Sequence, residues 1–310
     1  MKKFLTTLFL TLTFLAMVTG VHAGEKIKIG AASPTGEYTN TIVPAINKAL
    51  NEHGYSAEAV ISAGSQDNID NIMAGEYLVA LTQLDVAALN MRAEVDLNET
   101  LVLLGNRIAP EALFCVAHKE GNVKSYDDLT DLSNLENPIK ISVGKQKSGT
   151  ARTFQYLMTL DPNLKKENFK FFHGNTLAEL NRLNSGRRDV VCFVINPNLD
   201  NELLKHIMNN KQLVFVNIDN PEFAKAKIGI FRIYNILDVP ISKKGFFKKA
   251  ETVKTLVTWV YLIGNDKQID DKLKRVLNKV ANKPDLLPSD SVVGKAKTMI
   301  CQHLPKLCKE

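Results

Sequence analysis

Apolar and polar residues along this chain follow two rhythms that alternate at regular intervals. "KIKIG" (26–30) is a short β-like run ending in glycine. After "ASPTGEY" the period lengthens to that of an amphipathic helix, Tyr38 to His53, closed by Gly54. "AEAVISA" predicts a second strand, "GSQDNIDNIMAGE" a second helix and "YLVALTQ" a third strand. The order βαβαβ implies a parallel sheet. The same order then recurs. "PIKISVG" (138–144) is a strand ending in glycine, "KQKSGTARTFQYLMTL" a loop and helix, "FKFFHG" a strand, "NTLAELNRLNSGRR" a helix and "DVVCFVIN" a strand. The two passages align at an offset of about 111 residues: Ile27-Lys28-Ile29 on Ile139-Lys140-Ile141, Gly64-Ser65 on Gly174-Asn175, and Gly75 on Gly186. Those last glycines suit the left-handed position that ends a helix.

The chain is therefore an α/β protein of two similar lobes. The second half of "LLGNRIAPEALFCVAHKEG" is a strand that carries it from the first lobe to the second. After "QLVFVNID" (212–219) it returns, and "ETVKTLVTWVYLIGND" adds one more strand before the C-terminal helices. These boundaries give 1–23 as a leader, 24–110 as the first part of lobe one, 111–218 as lobe two and 219–310 as the return. In open α/β sheets ligands bind beyond the carboxyl ends of the strands. Two facing lobes place both sets of strand ends on one cleft.

The leader is read from Lys2-Lys3, the apolar run Phe4–Val18 and the small residues of Val21-His22-Ala23, the pattern of a cleaved signal peptide. The apolar run is shorter than the roughly 20 residues a membrane span needs, and no cysteine stands at the cleavage point for a lipid anchor. Export to the periplasm follows. Without Lys2 and Lys3 the chain has 37 basic against 33 acidic residues, a net charge of +4, scattered and without the basic block a nucleic-acid partner requires. "KKGFFKK" (243–249) reads as a solvated turn. Four cysteines remain. Cys301 and Cys308 are close enough to pin the tail with a disulfide in an oxidising compartment, while Cys115 and Cys192 either pair or are buried small hydrophobes.

Four strand-end loops carry the polar, glycine-containing chemistry: Ser33-Pro34-Thr35-Gly36-Glu37-Tyr38, Gly64-Ser65-Gln66-Asp67-Asn68, Lys147-Ser148-Gly149-Thr150 and Gly174-Asn175-Thr176. Each opens a helix, where free N–H groups and the helix dipole favour a carboxylate or phosphate; ordinary N-capping uses the same residue types. Thr82, Gln83 and Asp85 stand at the end of the third strand, and Asn196 and Pro197 at its counterpart in lobe two. Arg152 and Arg107 are candidate partners for a ligand carboxylate. "GKQKSGT" (144–150) approaches a P-loop, but Thr150 occupies the place of the phosphate-binding lysine, and the motif does not explain why "IGAASPTGEYT" is its counterpart in lobe one. No metal-ligand spacing, nucleophile elbow or acid/base pair appears, so no catalytic residue, metal or cofactor is expected.

"IKIGAASPTGEYTNTIVPAINKAL", "SAGSQDNIDNIMAGEYLVALTQLDVA" and "ISVGKQKSGTARTF", taken in order with "VKSYDDLTDL", Asn196-Pro197, "DVP" and "ETVKTLVTWVYLI", resemble the TAXI group of periplasmic solute-binding proteins that serve tripartite ATP-independent periplasmic (TRAP) transporters. The resemblance spans nearly the whole exported chain. It implies the two-lobed type II periplasmic binding protein fold and capture of a small organic acid, such as glutamate or 2-oxoglutarate, by lobe closure. The partners implied are membrane permease subunits, and the protein is a monomer without enzymatic activity. Carried over by position, the ligand contacts are Gly36, Glu37 and Tyr38; Ser65 and Asn68; Gln83 and Asp85; and Ser148, Gly149 and Thr150. The chain departs from the group in Ala31-Ala32-Ser33-Pro34 and Glu37, and in Lys145, Gln146 and Lys147. A sensor or partner-interaction protein that kept the two lobes, and an exported enzyme on the same fold, are the alternatives.

Overall fold

The structure, a computed structural model, describes residues 26–93, 95–242, 250–306 and 308. The leader and the 243–249 turn lie outside the described residues. In chain order the elements are β1 (Lys26–Gly30), α1 (Val43–Asn51), β2 (Ser56–Val60), α2 (Ser65–Ala74), β3 (Val79–Gln83), α3 (Leu84–Ala93), α4 (Val95–Thr100) and β4 (Leu101–His118). There follow α5 (Tyr126–Thr130), β5 (Ile139–Ser142), α6 (Gly149–Leu160), β6 (Phe169–Phe172), α7 (Thr176–Asn184), β7 (Val190–Ile195), α8 (Glu202–Met208) and β8 (Leu213–Val216). The chain ends through β9 (Lys227–Ile228), β10 (Phe231–Arg232), β11 (Asn235–Pro240), β12 (Thr252–Asn265), α9 (Asp271–Ala281) and α10 (Val292–His303).

The strands run in the order β2-β1-β3-β12-β4-β7-β5-β6. Both ends are parallel triplets: β1 lies between β2 and β3, and β5 between β6 and β7. The internal repeat is thus visible in the topology as two copies of one strand order. Between the triplets, β4 and β12 run antiparallel to each other and to β7 and β3 respectively. Their length makes them the connection. Leu101–Leu104 of β4 pair with the end of β12, whereas Ala112–Ala117 pair with β7. The helix-ending glycines that the repeat equates, Gly75 and Gly186, both take left-handed backbone, at φ 77° and 71°, a conformation glycine adopts without the steric cost of a Cβ.

Two hydrophobic cores flank the sheet. One joins β1, β3, α1 and α9 through Ile29, Leu81, Ile46, Leu50 and Leu277. The other gathers Phe114, Phe154, Phe193, Tyr234 and Trp259. Each fully buried aliphatic or aromatic side chain of this kind contributes about 1.5–3 kcal/mol. A disulfide joins Cys115 to Cys192, residues directly opposite each other across the β4–β7 ladder. A second joins Cys301 to Cys308 and closes the tail. The helix expected from Tyr38 is not uniform: Tyr38–Ile42 form a single wide π turn before α1, closed by the Val43 N–H on the Tyr38 carbonyl. Pro44 explains this, since it has no N–H to continue an α-helical ladder back through that turn. Wide turns of this kind concentrate at functional sites, and this one presents Tyr38.

Candidate functional site

The carboxyl ends of both triplets face each other across a cavity of about 790 Å³. Its lining includes Ser33, Gly36, Glu37, Tyr38, Ser65 and Gln83 from one side, and Ser148, Gly149, Thr150 and Asn196 from the other. The two sides meet. Gly64 is so close to Ser148 that a Cβ on it would lie 3.2 Å from the Ser148 Cα, and a Cβ on Gly149 would fall 1.7 Å from the Gln83 Oε1. Lys147 reaches across to α2, 2.8 Å from Asp70 and 3.5 Å from Asp67. A buried bond reinforces the contact: Thr153 of α6 donates to Asp85 of α3 at 2.5 Å, and Tyr234 donates to the same oxygen at 2.8 Å.

The start of α6 turns hydrogen-bond donors toward the cavity. Ser148 caps the helix by accepting from the Ala151 N–H. The N–H groups of Gly149 and Thr150 come before any intrahelical acceptor, as the first N–H groups of every helix do. The Thr150 hydroxyl oxygen accepts from the Val194 N–H at 2.9 Å, so its own proton is free to donate into the cavity. At the start of α7 the Asn175 side chain takes up the N–H groups of Leu177 and Ala178 itself.

Opposite stands a residue that the sequence patterns did not single out. Glu111 lies midway along β4, only 8 % exposed, and lines the cavity. The Tyr38 hydroxyl donates to it at 3.3 Å. Burial pushes its carboxyl up to about 8, with the neighbouring Asp85 adding to the shift, while hydrogen bonds from Tyr38 and Gln83 oppose it. Tyr38 is itself held well above the usual phenol range, first by burial and then by the Glu111 charge. Asp85 is raised by burial against its hydrogen bonds from Thr153 and Tyr234. A lone glutamate inside the apolar run "IAPEALFCVA" is the signal that marks Glu111 in the sequence.

Six of the expected residues are placed elsewhere, Thr82 among them, being buried with its hydroxyl on the Ser65 carbonyl. Asn68 is fully buried, donating to the carbonyls of Ala31 and Leu81 and accepting from Tyr77. Asp85 is engaged in the contact between α3 and α6 described above. Arg152 turns to the Gln155 side chain at 2.5 Å. Pro197, like Arg107, is not among the lining residues. Lys145 is the basic residue among the described lining residues, against Glu37, Glu111, Asp200 and Glu202. Asp200 and Glu202 have lysine partners in Lys295 and Lys205, and Glu37 accepts from Thr41. Among the described residues no group of three His, Cys, Asp or Glu side chains is placed to hold a metal ion, and no helix is long and apolar enough to cross a membrane.

The sequence pattern of the NMT1-like family matches residues 29–287. The chain belongs to the NMT1-like family. Solved structures agree on the architecture of this family member. It superposes on a provisionally assigned L-cystine ABC transporter from Listeria monocytogenes with a TM-score of 0.51 at 14% identity, covering 87% of this chain and 96% of that one. The protein XAC2383 from Xanthomonas citri, solved bound to ATP, gives 0.50 at 11% identity over 92% of this chain and 96% of that one. At such identities these likenesses show the fold, which is that of the two-lobed periplasmic binding proteins.

Proposed function

We propose that this NMT1-like protein is the periplasmic substrate-binding subunit of a TRAP-type transporter, of the TAXI group. It captures a small organic acid by closing its lobes and delivers it to membrane permease subunits, without chemical turnover. The observation that carries the proposal is the cavity at the facing strand ends, whose walls come from both lobes and meet at Gly149 and Gln83. A ligand there touches both lobes only when they are together, so binding and closure are one event. The N–H groups of Gly149 and Thr150 and the Thr150 hydroxyl supply donors for a carboxylate, and Ser33, Ser65 and Asn196 supply neutral polar groups around it.

A thermal-shift screen with amino acids, 2-oxo acids and dicarboxylates tests this. A ligand that binds only the folded state stabilises it by about 2.7 kcal/mol at 100 times its dissociation constant. At least one small carboxylate is expected to raise the melting temperature; a flat response to every class refutes capture of a small acid. The transport half is tested separately by uptake of that carboxylate into vesicles holding a TRAP-type permease, with and without the purified protein.

A further inference from the structure

The geometry points to Glu111 as the group that reads an ammonium on the ligand, so that the site selects α-amino acids over the matching 2-oxo acids. This inference rests on the capture of a small acid proposed above and names the chemical class of that acid.

The cavity offers two kinds of polar wall. At the start of α6 there are donors only: the N–H groups of Gly149 and Thr150 and the Thr150 hydroxyl, whose oxygen is already occupied by Val194. On β4 there is an acceptor, the Glu111 carboxyl, buried and met by the neutral donors Tyr38 and Gln83. Of the acidic lining residues, Asp200 and Glu202 are matched by lysines at the rim and Glu37 by Thr41. Glu111 is the deep one, and its described partners are neutral. Gln83 separates the two walls: its side-chain oxygen is against Gly149 while its amide reaches Glu111. One amide side chain is about the separation of the two charged ends of an α-amino acid.

Without a cation the buried Glu111 keeps its proton up to about pH 8; a ligand ammonium takes the proton's place and makes a charge-assisted hydrogen bond, stronger than a neutral one. A ligand bearing a keto oxygen at the same place meets protonated Glu111 and gains only a neutral hydrogen bond.

The test pairs ligands that differ only at this group, L-glutamate with 2-oxoglutarate and L-alanine with pyruvate, measured by titration calorimetry at pH 7. The wild-type protein is expected to bind the amino acid of at least one pair at least about 30-fold more tightly, within the range of coupling measured across close buried charge pairs. Glu111→Gln, which keeps the shape and the bond to Tyr38, is expected to reduce that preference to within about threefold, mainly by weakening the amino acid. A 2-oxo acid bound as tightly as its amino acid, or an unchanged preference in the variant, overturns the role of Glu111 and leaves acid capture standing. Binding of neither class overturns both. Should the variant fail to fold, the wild-type ratios alone decide.

Discussion

Gly149→Ala isolates closure from stability. Its Cβ would stand 1.7 Å from the Gln83 Oε1 and 2.6 Å from its Cδ, across the boundary between the lobes. Within its own lobe the change is benign, since Gly149 is the first residue of α6 and alanine is the better helix former by about 1 kcal/mol. The cost therefore appears only when the lobes come together. Gln83 is 1 % exposed, so it can yield only by giving up its bonds to Ser65 and Glu111. Two buried hydrogen bonds at about 1 kcal/mol each, plus an off-rotamer side chain at about 1 kcal/mol, come to about 3 kcal/mol against the closed form. Calorimetry with L-glutamate, or with whichever acid the thermal screen identifies, is expected to show affinity weakened by about 100-fold. The melting temperature without ligand should stay within a degree or two of wild type. In the double variant Gly149→Ala/Gln83→Ala the obstruction is gone, so it should bind no worse than Gln83→Ala alone, a coupling that a double-mutant cycle reads directly. Affinity for Gly149→Ala within threefold of wild type would refute the contact as a feature of the bound state.

Further expectations concern charge, covalent links and pH. Lys147→Ala removes the half-exposed ion pairs to Asp67 and Asp70; ligand affinity should weaken by roughly two- to fourfold at low salt, as exposed pairs contribute little, and the difference should vanish in 1 M NaCl. Replacing Cys115 and Cys192 by alanine together should lower unfolding stability by about 4.5 kcal/mol, and replacing Cys301 and Cys308 by about 2.5 kcal/mol, because the first bond closes the longer loop; equal losses in urea unfolding would contradict the loop-entropy account. The Glu111 carboxyl is raised from its ordinary value to about 8 in the folded protein, so between about pH 4.5 and 8 the folded state holds a proton that the unfolded chain has lost. Its contribution is complete below about pH 4.5 and disappears as the pH rises through 8, so stability without ligand should fall across that window by a few kcal/mol. Asp85 is raised too and adds a fall of the same sign. Glu111→Gln should flatten the curve in part, as read by urea unfolding at a series of pH values.

The fold was legible because it is written twice. Ile27 and Ile139, Gly64 and Gly174, Gly75 and Gly186 recur at nearly one spacing, and an apolar period that switches between strand and helix gives element type without tertiary information. The strand-end loops were legible for the same reason: Gly36, Ser65, Ser148, Gly149 and Thr150 stand at helix starts, and the topology brings them to one cavity. Polar residues one turn further in were less legible. Asn68 and Asp85 have the chemistry of ligand contacts, yet the fold uses the first to tie α2 to β3 and to Ala31 just after β1, and the second to join α3 to α6. Glu111 was hidden by its neighbours, since an apolar strand is what its surroundings spell. Which way its carboxyl faces depends on β4 lying between β12 and β7. The Cys115–Cys192 bond depends likewise on the register of β4 and β7, which no local pattern states.

A crystal structure of the protein saturated with its tightest small acid tests the central claim most directly. The account predicts the ligand carboxylate within hydrogen-bond distance of the Gly149 and Thr150 N–H groups, in the cavity between the lobes, with Gln83 still against Gly149. A ligand bound to one lobe alone, or with its carboxylate held elsewhere, would contradict it.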